Sequence, residues 1–240
     1  MRRLTIIVAA LALAAVPAAA QQPAAKPAKA ADTTRAAHEH GKADSAGHKT
    51  TLETAQAGAL PAGWSARIDR DADLSKAKFV TMEPGWHVTL GPAGIFWRDT
   101  DKANGPFHTV ALIHQMKAPT HPEGYGIFYG GQALTGEGQK YTYFLVRGDG
   151  TYLIKERNGA ETRNVSEGWV QHAAVKQQDA EGKTVNKLEI DATGEQVRFL
   201  VNGQEVHSMA AEPGSLNGNV GLRMNHNLDL HVETFAVHQQ

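Results

Sequence analysis

The sequence predicts an all-β fold, a two-sheet antiparallel jelly-roll β-sandwich occupying residues 61–240, preceded by a signal peptide and a disordered linker. Three observations carry that expectation. All 4 Trp, 5 Tyr and 7 Phe lie at or beyond Trp64, so the first quarter of the chain has no large rings with which to join a packed core. From about Leu60 onward, short runs of alternating, β-branched and aromatic residues are separated by Gly, Asn, Asp and Pro. No stretch of that region sustains a helical period with capping residues. Many short strands in a chain of this length point to two stacked sheets.

Taken in chain order, Met1-Arg2-Arg3 is followed by an apolar run from Leu4 to Val16 and then Pro17-Ala18-Ala19-Ala20. A charged start, a short apolar stretch and an Ala-x-Ala site ending at Ala20 are the parts of a secretory signal peptide over residues 1–20. The run is shorter than the roughly 20 apolar residues that span a bilayer. Periplasmic or secreted localisation is the expectation. Residues 21–60 are rich in Ala, Lys, Gln, Thr and Gly, too poor in apolar surface to offset the entropy of ordering, and are expected to form a flexible linker. Within them His38, His40 and His48 form a small cluster of the type that binds Zn²⁺ or Cu²⁺, or else part of a solvated tether.

The formal net charge of −1 argues against a nucleic-acid partner held by phosphate neutralisation. With no cysteine, the chain has no disulfide framework, thiol nucleophile or zinc–thiolate site.

The runs that read as strands are 66–70, 78–82, 86–90, 95–98, 108–117, 125–130, 141–147, 152–157, 169–175, 186–191, 196–201, 204–207, 219–224 and 230–237. Three turns between them are well specified: Gly148-Asp149-Gly150, Ala192-Thr193-Gly194, and Asn202-Gly203, the last a pair suited to the positive φ angles of a type I′ hairpin. Between the second and third turns, Val197, Phe199 and Val201 share one face of a strand.

The succession Asn186–Asp191, Gly194, Phe199-Leu200-Val201-Asn202-Gly203 and Gly218-Asn219-Val220-Gly221-Leu222, closed by the 230–237 strand, resembles the C-terminal half of concanavalin A-like lectin/glucanase jelly rolls. The likeness is to the laminin-G-like and 3-keto-disaccharide hydrolase branches, and it covers residues 186–237. It implies a jelly-roll fold with ligands on the concave face of one sheet or at the loops along its rim. These motifs build strands and turns, and so speak to fold more than to function.

Candidate chemistry follows from the strand faces. Tyr141, Tyr143, Leu145 and Arg147 alternate onto one face, with Phe144 and Val146 opposite. If Phe144 and Val146 face the core, two tyrosines and an arginine form a platform for a pyranose ring, which Trp86, Trp97, Tyr125 and Tyr129 extend; the alternative is ordinary core and cross-strand packing. Arg223, Asn225 and His226 gather polar groups at the end of a strand, either to hydrogen-bond sugar hydroxyls or to close a sheet edge. His114 is a further binding candidate among nine histidines in the domain. Asp99, Asp101 and Asn104 with Gly105 read as an oxygen-rich loop, either an ordinary turn or a Ca²⁺ site. No other cofactor is expected. Glu189-Ile190-Asp191 resembles part of the Glu-x-Asp-x-x-Glu signature of jelly-roll glucanases, but Gly194 stands at the third acidic position and alternation turns both acids to solvent.

Three functions fit: a carbohydrate-binding, lectin-like domain; a glycoside hydrolase resembling 3-keto-disaccharide hydrolases, for which Glu123, Glu156, His114 and His226 are available; or a non-catalytic envelope or interaction protein. A carbohydrate or glycoconjugate is the expected partner of the first two.

Overall fold

The computed structural model describes residues 59–240. The expected signal peptide and the linker histidines His38, His40 and His48 lie outside the described residues. Fifteen strands follow in order: β1 (Trp64–Ile68), β2 (Ala77–Thr81), β3 (Trp86–Leu90), β4 (Gly94–Ala103), β5 (Phe107–Gln115), β6 (Gly124–Gln132), β7 (Lys140–Arg147) and β8 (Thr151–Asn158). They continue with β9 (Glu161–Asn164), β10 (Val170–Gln171), β11 (Thr184–Ala192), β12 (Gln196–Val201), β13 (Gln204–Ala210), β14 (Gly218–Met224) and β15 (Asp229–Gln239). Two short 3-10 turns, Asp69–Asp71 and Leu74–Lys76, link β1 to β2. Among the described residues no helix is long and apolar enough to cross a membrane.

The strands form two antiparallel sheets, as the sequence predicts. The first runs β1-β4-β14-β6-β7-β8-β10, with β9 paired to β8; the second runs β13-β12-β11-β5-β15-β3-β2. Their inner faces meet in one core that includes Phe79, Phe96, Phe107, Phe144, Phe199, Ile113, Ile127, Leu188, Ile190 and Leu222. Phe144 and Phe199 meet edge to face at 5.3 Å, and Phe79 and Phe96 at 5.9 Å. A buried side chain of this size contributes about 1.5–3 kcal/mol by leaving water, which is how the two sheets are held without disulfides.

The hairpin signals work as the sequence predicts. Asn202 (φ 52°) and Gly203 (φ 81°) both occupy the left-handed region that a type I′ turn requires. Asn202 also ties the second sheet together: its Oδ1 accepts from the Lys187 amide, and its Nδ2 donates to the Ala174 carbonyl and the fully buried Asn186. At the β7–β8 turn, Asp149 Oδ1 accepts from both the amide and the hydroxyl of Thr151.

Three local expectations change. Residues 99–103, read as a loop, continue β4, because pairing with β14 extends past the last buried residue of the strand's apolar stretch. Of the expected 169–175 strand only Val170–Gln171 pairs, and Trp169 folds onto the outer face of the first sheet. The exposed strand Glu161–Asn164 carries no alternation at all and is held only by pairing with β8.

Candidate functional site

The outer face of the first sheet is where the sequence candidates gather. Phe144 and Val146 point into the core, so Tyr141, Tyr143, Leu145 and Arg147 project outward from β7, as alternation requires. Neighbouring strands place Ile95 and Trp97 (β4) and Phe128 (β6) on the same face. Arg223 (β14) reaches it too, with its guanidinium 6.0 Å from the Tyr143 ring centroid. Tyr141 lies 5.6 Å from Tyr143 and 5.2 Å from Phe128.

These rings do not form an open platform. Trp97 is 4 % exposed, Tyr141 4 % and Tyr143 8 %, because the β6–β7 connection lays the buried Leu134 against them. The result is a second, satellite core outside the sandwich. Burial pushes both tyrosine hydroxyls above their usual pKa, with Arg223 pulling the other way. Trp86, Tyr125 and Tyr129 face between the sheets and belong to the main core.

Arg147 shares the face but not the cluster. It stacks 4.2 Å over the Trp169 ring and pairs with Asp149 at 2.7 Å, closing its own end of the sheet. His114 sits on the second sheet, where it pairs with Glu233 at 2.7 Å, far in the fold from the tyrosines it was grouped with. The two carboxylates of the Asp99–Asn104 stretch are engaged separately: Asp99 accepts from the Trp97 indole at 3.3 Å, and Asp101 pairs with Arg98 at 2.6 Å. The Asn104 backbone N–H donates to the Gln239 side-chain oxygen. Among the described residues no group of three or more His, Cys, Asp or Glu is placed to hold a metal ion.

What remains open is polar and lies at the edge of this face. Arg223, 7 % exposed, donates through both terminal nitrogens to Asp69, at 2.9 and 2.6 Å, a bidentate fork. Burial alone would raise the Asp69 carboxyl, but hydrogen bonding and charge from Arg223, with Arg157 and Arg67 behind it, hold it below 3.8. Burial likewise disfavours the Arg223 cation, and Asp69 more than restores it.

Two clefts adjoin this pair and share Asp69 and Arg70. One, about 700 Å³, is lined by Arg67, Asp69, Arg70, Glu137, Gln139 and Arg157 together with Gly159 and Ala160. The other, about 460 Å³, brings Asp69, Arg70, Arg223, Asn225 and His226 against the 91–93 turn. Thus Arg223, Asn225 and His226 do converge on one open cleft. His226 pairs with the buried Glu123 at 3.0 Å. Arg67 donates to the Gly136 carbonyl, and the Gly159 amide donates to the Gln139 carbonyl at 2.8 Å, so the β6–β7 connection forms one wall.

The sequence reading missed Arg67, Asp69, Arg70, Arg157 and Gln139. Arg67 lies on β1 and Asp69 two residues on, in the 3-10 turn that follows it, while Lys155 and Arg157 keep a period of two along β8; that signal marks polar positions without saying that they meet. β4, β14, β6 and β7 lie between β1 and β8 in the sheet, yet residues from both ends of that order line the same cleft, with the β6–β7 connection as its wall.

No protein family and no curated protein matches the chain. Solved structures do. The carbohydrate-binding module CBM66 of Bacillus subtilis superposes with a TM-score of 0.54 at 9 % identity, over 73 % of this chain and 95 % of that one. A Bacillus subtilis protein of unknown function with a galectin-like fold gives 0.48 at 11 % identity, over 73 % and 89 %. Sheep galectin-11 gives 0.41 at 14 % identity, over 56 % and 92 %. At 9 % identity the likeness to the carbohydrate-binding module shows a fold, and the described region is a jelly-roll β-sandwich.

Proposed function

We propose that this is an exported carbohydrate-binding domain of the concanavalin A-like type, whose ligand sits in the two clefts at the edge of the first sheet rather than on the tyrosines. The observation that carries this reading is the convergence of Arg70, Arg223, Asn225 and His226 on one cleft. Sugar hydroxyls need several planar donors and acceptors at fixed angles, and Arg70, Asn225 and His226 supply them beside an Arg223 that Asp69 holds in place. The covered centre of the face, by contrast, suits a packing role and would favour a non-catalytic interaction protein if the clefts bind nothing. The signal-peptide pattern of residues 1–20 supports export, checked by sequencing the N-terminus of the mature protein from fractionated cells.

Glycan arrays followed by calorimetry test the binding reading. Asn225→Ala and His226→Ala, both at solvent-accessible positions, are expected to weaken the best ligand about tenfold together. The reading fails if no glycan binds, or if the double variant binds as the wild type does.

One observation favours a second reading, a glycoside hydrolase resembling the 3-keto-disaccharide hydrolases: the buried Glu123 carboxylate 3.0 Å from His226 at the cleft edge, a geometry suited to general acid/base work. Release of reducing ends, lost in Glu123→Gln with binding retained, would establish it. Binding without turnover would leave the lectin-like reading alone.

A further inference from the structure

The two clefts carry more cationic than anionic groups although the whole chain carries a formal charge of −1. Arg67, Arg70, Arg157 and Arg223 line them, against Asp69 and Glu137. Asp69 is committed to Arg223, which leaves three guanidinium groups facing a single free carboxylate. From this imbalance, and resting on the carbohydrate-binding reading above, we propose that the site selects acidic sugars and holds the carboxylate of a uronic acid residue.

Independent features of the site support a bound anion. The buried Nε donors of Arg157 and Arg223 have no hydrogen-bond partner, and the buried Oε1 of Gln139 on the wall of the first cleft, an acceptor suited to a sugar hydroxyl, has none either. Polar groups buried in that way cost stability unless something pairs with them. Arg70 holds φ 59° and ψ 34°, a left-handed conformation that glycine prefers, at the point where the two clefts join. This conformation sets the position of a long, exposed cationic side chain where both clefts can use it.

The chemistry favours a carboxylate. A guanidinium fork matches a planar carboxylate with two parallel hydrogen bonds, the arrangement that Arg223 and Asp69 already display within the protein. Glu137 on the wall keeps the net excess small, which suits singly charged groups spaced along a sugar chain better than a densely sulfated one.

The experiment uses oligomers of galacturonate, glucuronate, mannuronate and guluronate beside their methyl esters, which remove the charge while keeping the ring. Calorimetry is run with the folded domain at low and at physiological salt, with neutral glycans in parallel. At least one uronate oligomer is expected to bind about tenfold or more tightly than its ester, and to weaken with salt. Arg70→Gln and Arg157→Gln should each lower that affinity about tenfold with unchanged thermal melting. Equal affinity for acid and ester, or binding of neutral glycans alone, overturns the acidic-sugar assignment and leaves the carbohydrate reading standing. Preference for a sulfated oligosaccharide over every uronate overturns the carboxylate assignment. Uronate binding that neither variant disturbs places the anion elsewhere and overturns the site. Failure of every glycan, acidic and neutral, overturns both readings.

Discussion

The two sheets turn quite different faces outward. On the first, aromatic rings pack with Leu134 of the β6–β7 connection, and the edge beside them opens into arginine-lined clefts. On the second, the outer face carries charge pairs, three of them cross-strand, His87 with Asp229 at 2.8 Å, His114 with Glu233 at 2.7 Å and Arg198 with Asp191 at 2.7 Å, and one within β11, Lys187 with Glu189 at 2.9 Å. The second is the solvated side of an antiparallel sheet, polar because nothing among the described residues packs on it. The first is a side that the fold has covered in part and left charged at one edge. The contrast teaches that rings on an outward face can serve a satellite core and shape a site without touching its ligand.

The largest expected effect separates the two faces by one basic residue each. Arg223→Ala strips the partner from a partly buried Asp69, and should cost about 3–5 kcal/mol in urea unfolding. Lys187→Ala on the second face should cost under about 1 kcal/mol, since exposed pairs are weak. Equal costs would erase the distinction between the two faces. Next in size, Leu134→Ala removes the apolar contact that the β6–β7 connection makes with the tyrosines, and should cost about 2–3 kcal/mol. It should also raise quenching of indole fluorescence by acrylamide as Trp97 becomes accessible. Unchanged quenching would show that the cover does not depend on Leu134.

The faces should also separate by pH. His231, between His114 and His87 across the second sheet, has its pKa held below 6.5 first by burial and then by those two histidines, with Glu233 opposing. The unfolded chain therefore binds the proton more readily, so stability falls as pH drops through about 6.5 toward the depressed folded value. Asp69 is lowered instead, so its contribution is complete above 3.8 and is lost only as pH falls below that toward its folded value. In His231→Gln the decline near neutrality should shrink, while the loss at strongly acid pH should persist. A profile unchanged by His231→Gln would place the near-neutral titration elsewhere. The smallest effect expected belongs to Arg198→Ala, within about 0.5–1 kcal/mol of wild type because Arg198 is exposed.

Much of the fold was legible because it depends on local signals. Val197, Phe199 and Val201 alternate inward as read, and Asn202-Gly203 adopts the turn its composition demands. Glu189 and Asp191 point outward to Lys187 and Arg198, so the glucanase-like tripeptide forms surface ion pairs. The exposed strand Glu161–Asn164 was not legible, since four polar residues carry no periodicity and only pairing makes them a strand. The site was half legible. Arg223, Asn225 and His226 share a cleft, whereas Tyr141 and Tyr143 lie on the expected face but beneath a cover that alternation cannot reveal.

By itself, then, the sequence determined that the described region is a β-sandwich, and which side of strands such as 141–147 and 196–201 faces the core. Those properties follow from backbone period, turn chemistry and the placement of aromatic residues, all readable within a few positions. Only the tertiary structure decided that Arg67 of β1 and Asp69 of the turn after it meet Arg157 of β8 in one cleft, and that a buried leucine packs with the tyrosines. Sheet order and the path of a connection bring sequence-distant residues together, and neither is written in any local pattern of residues.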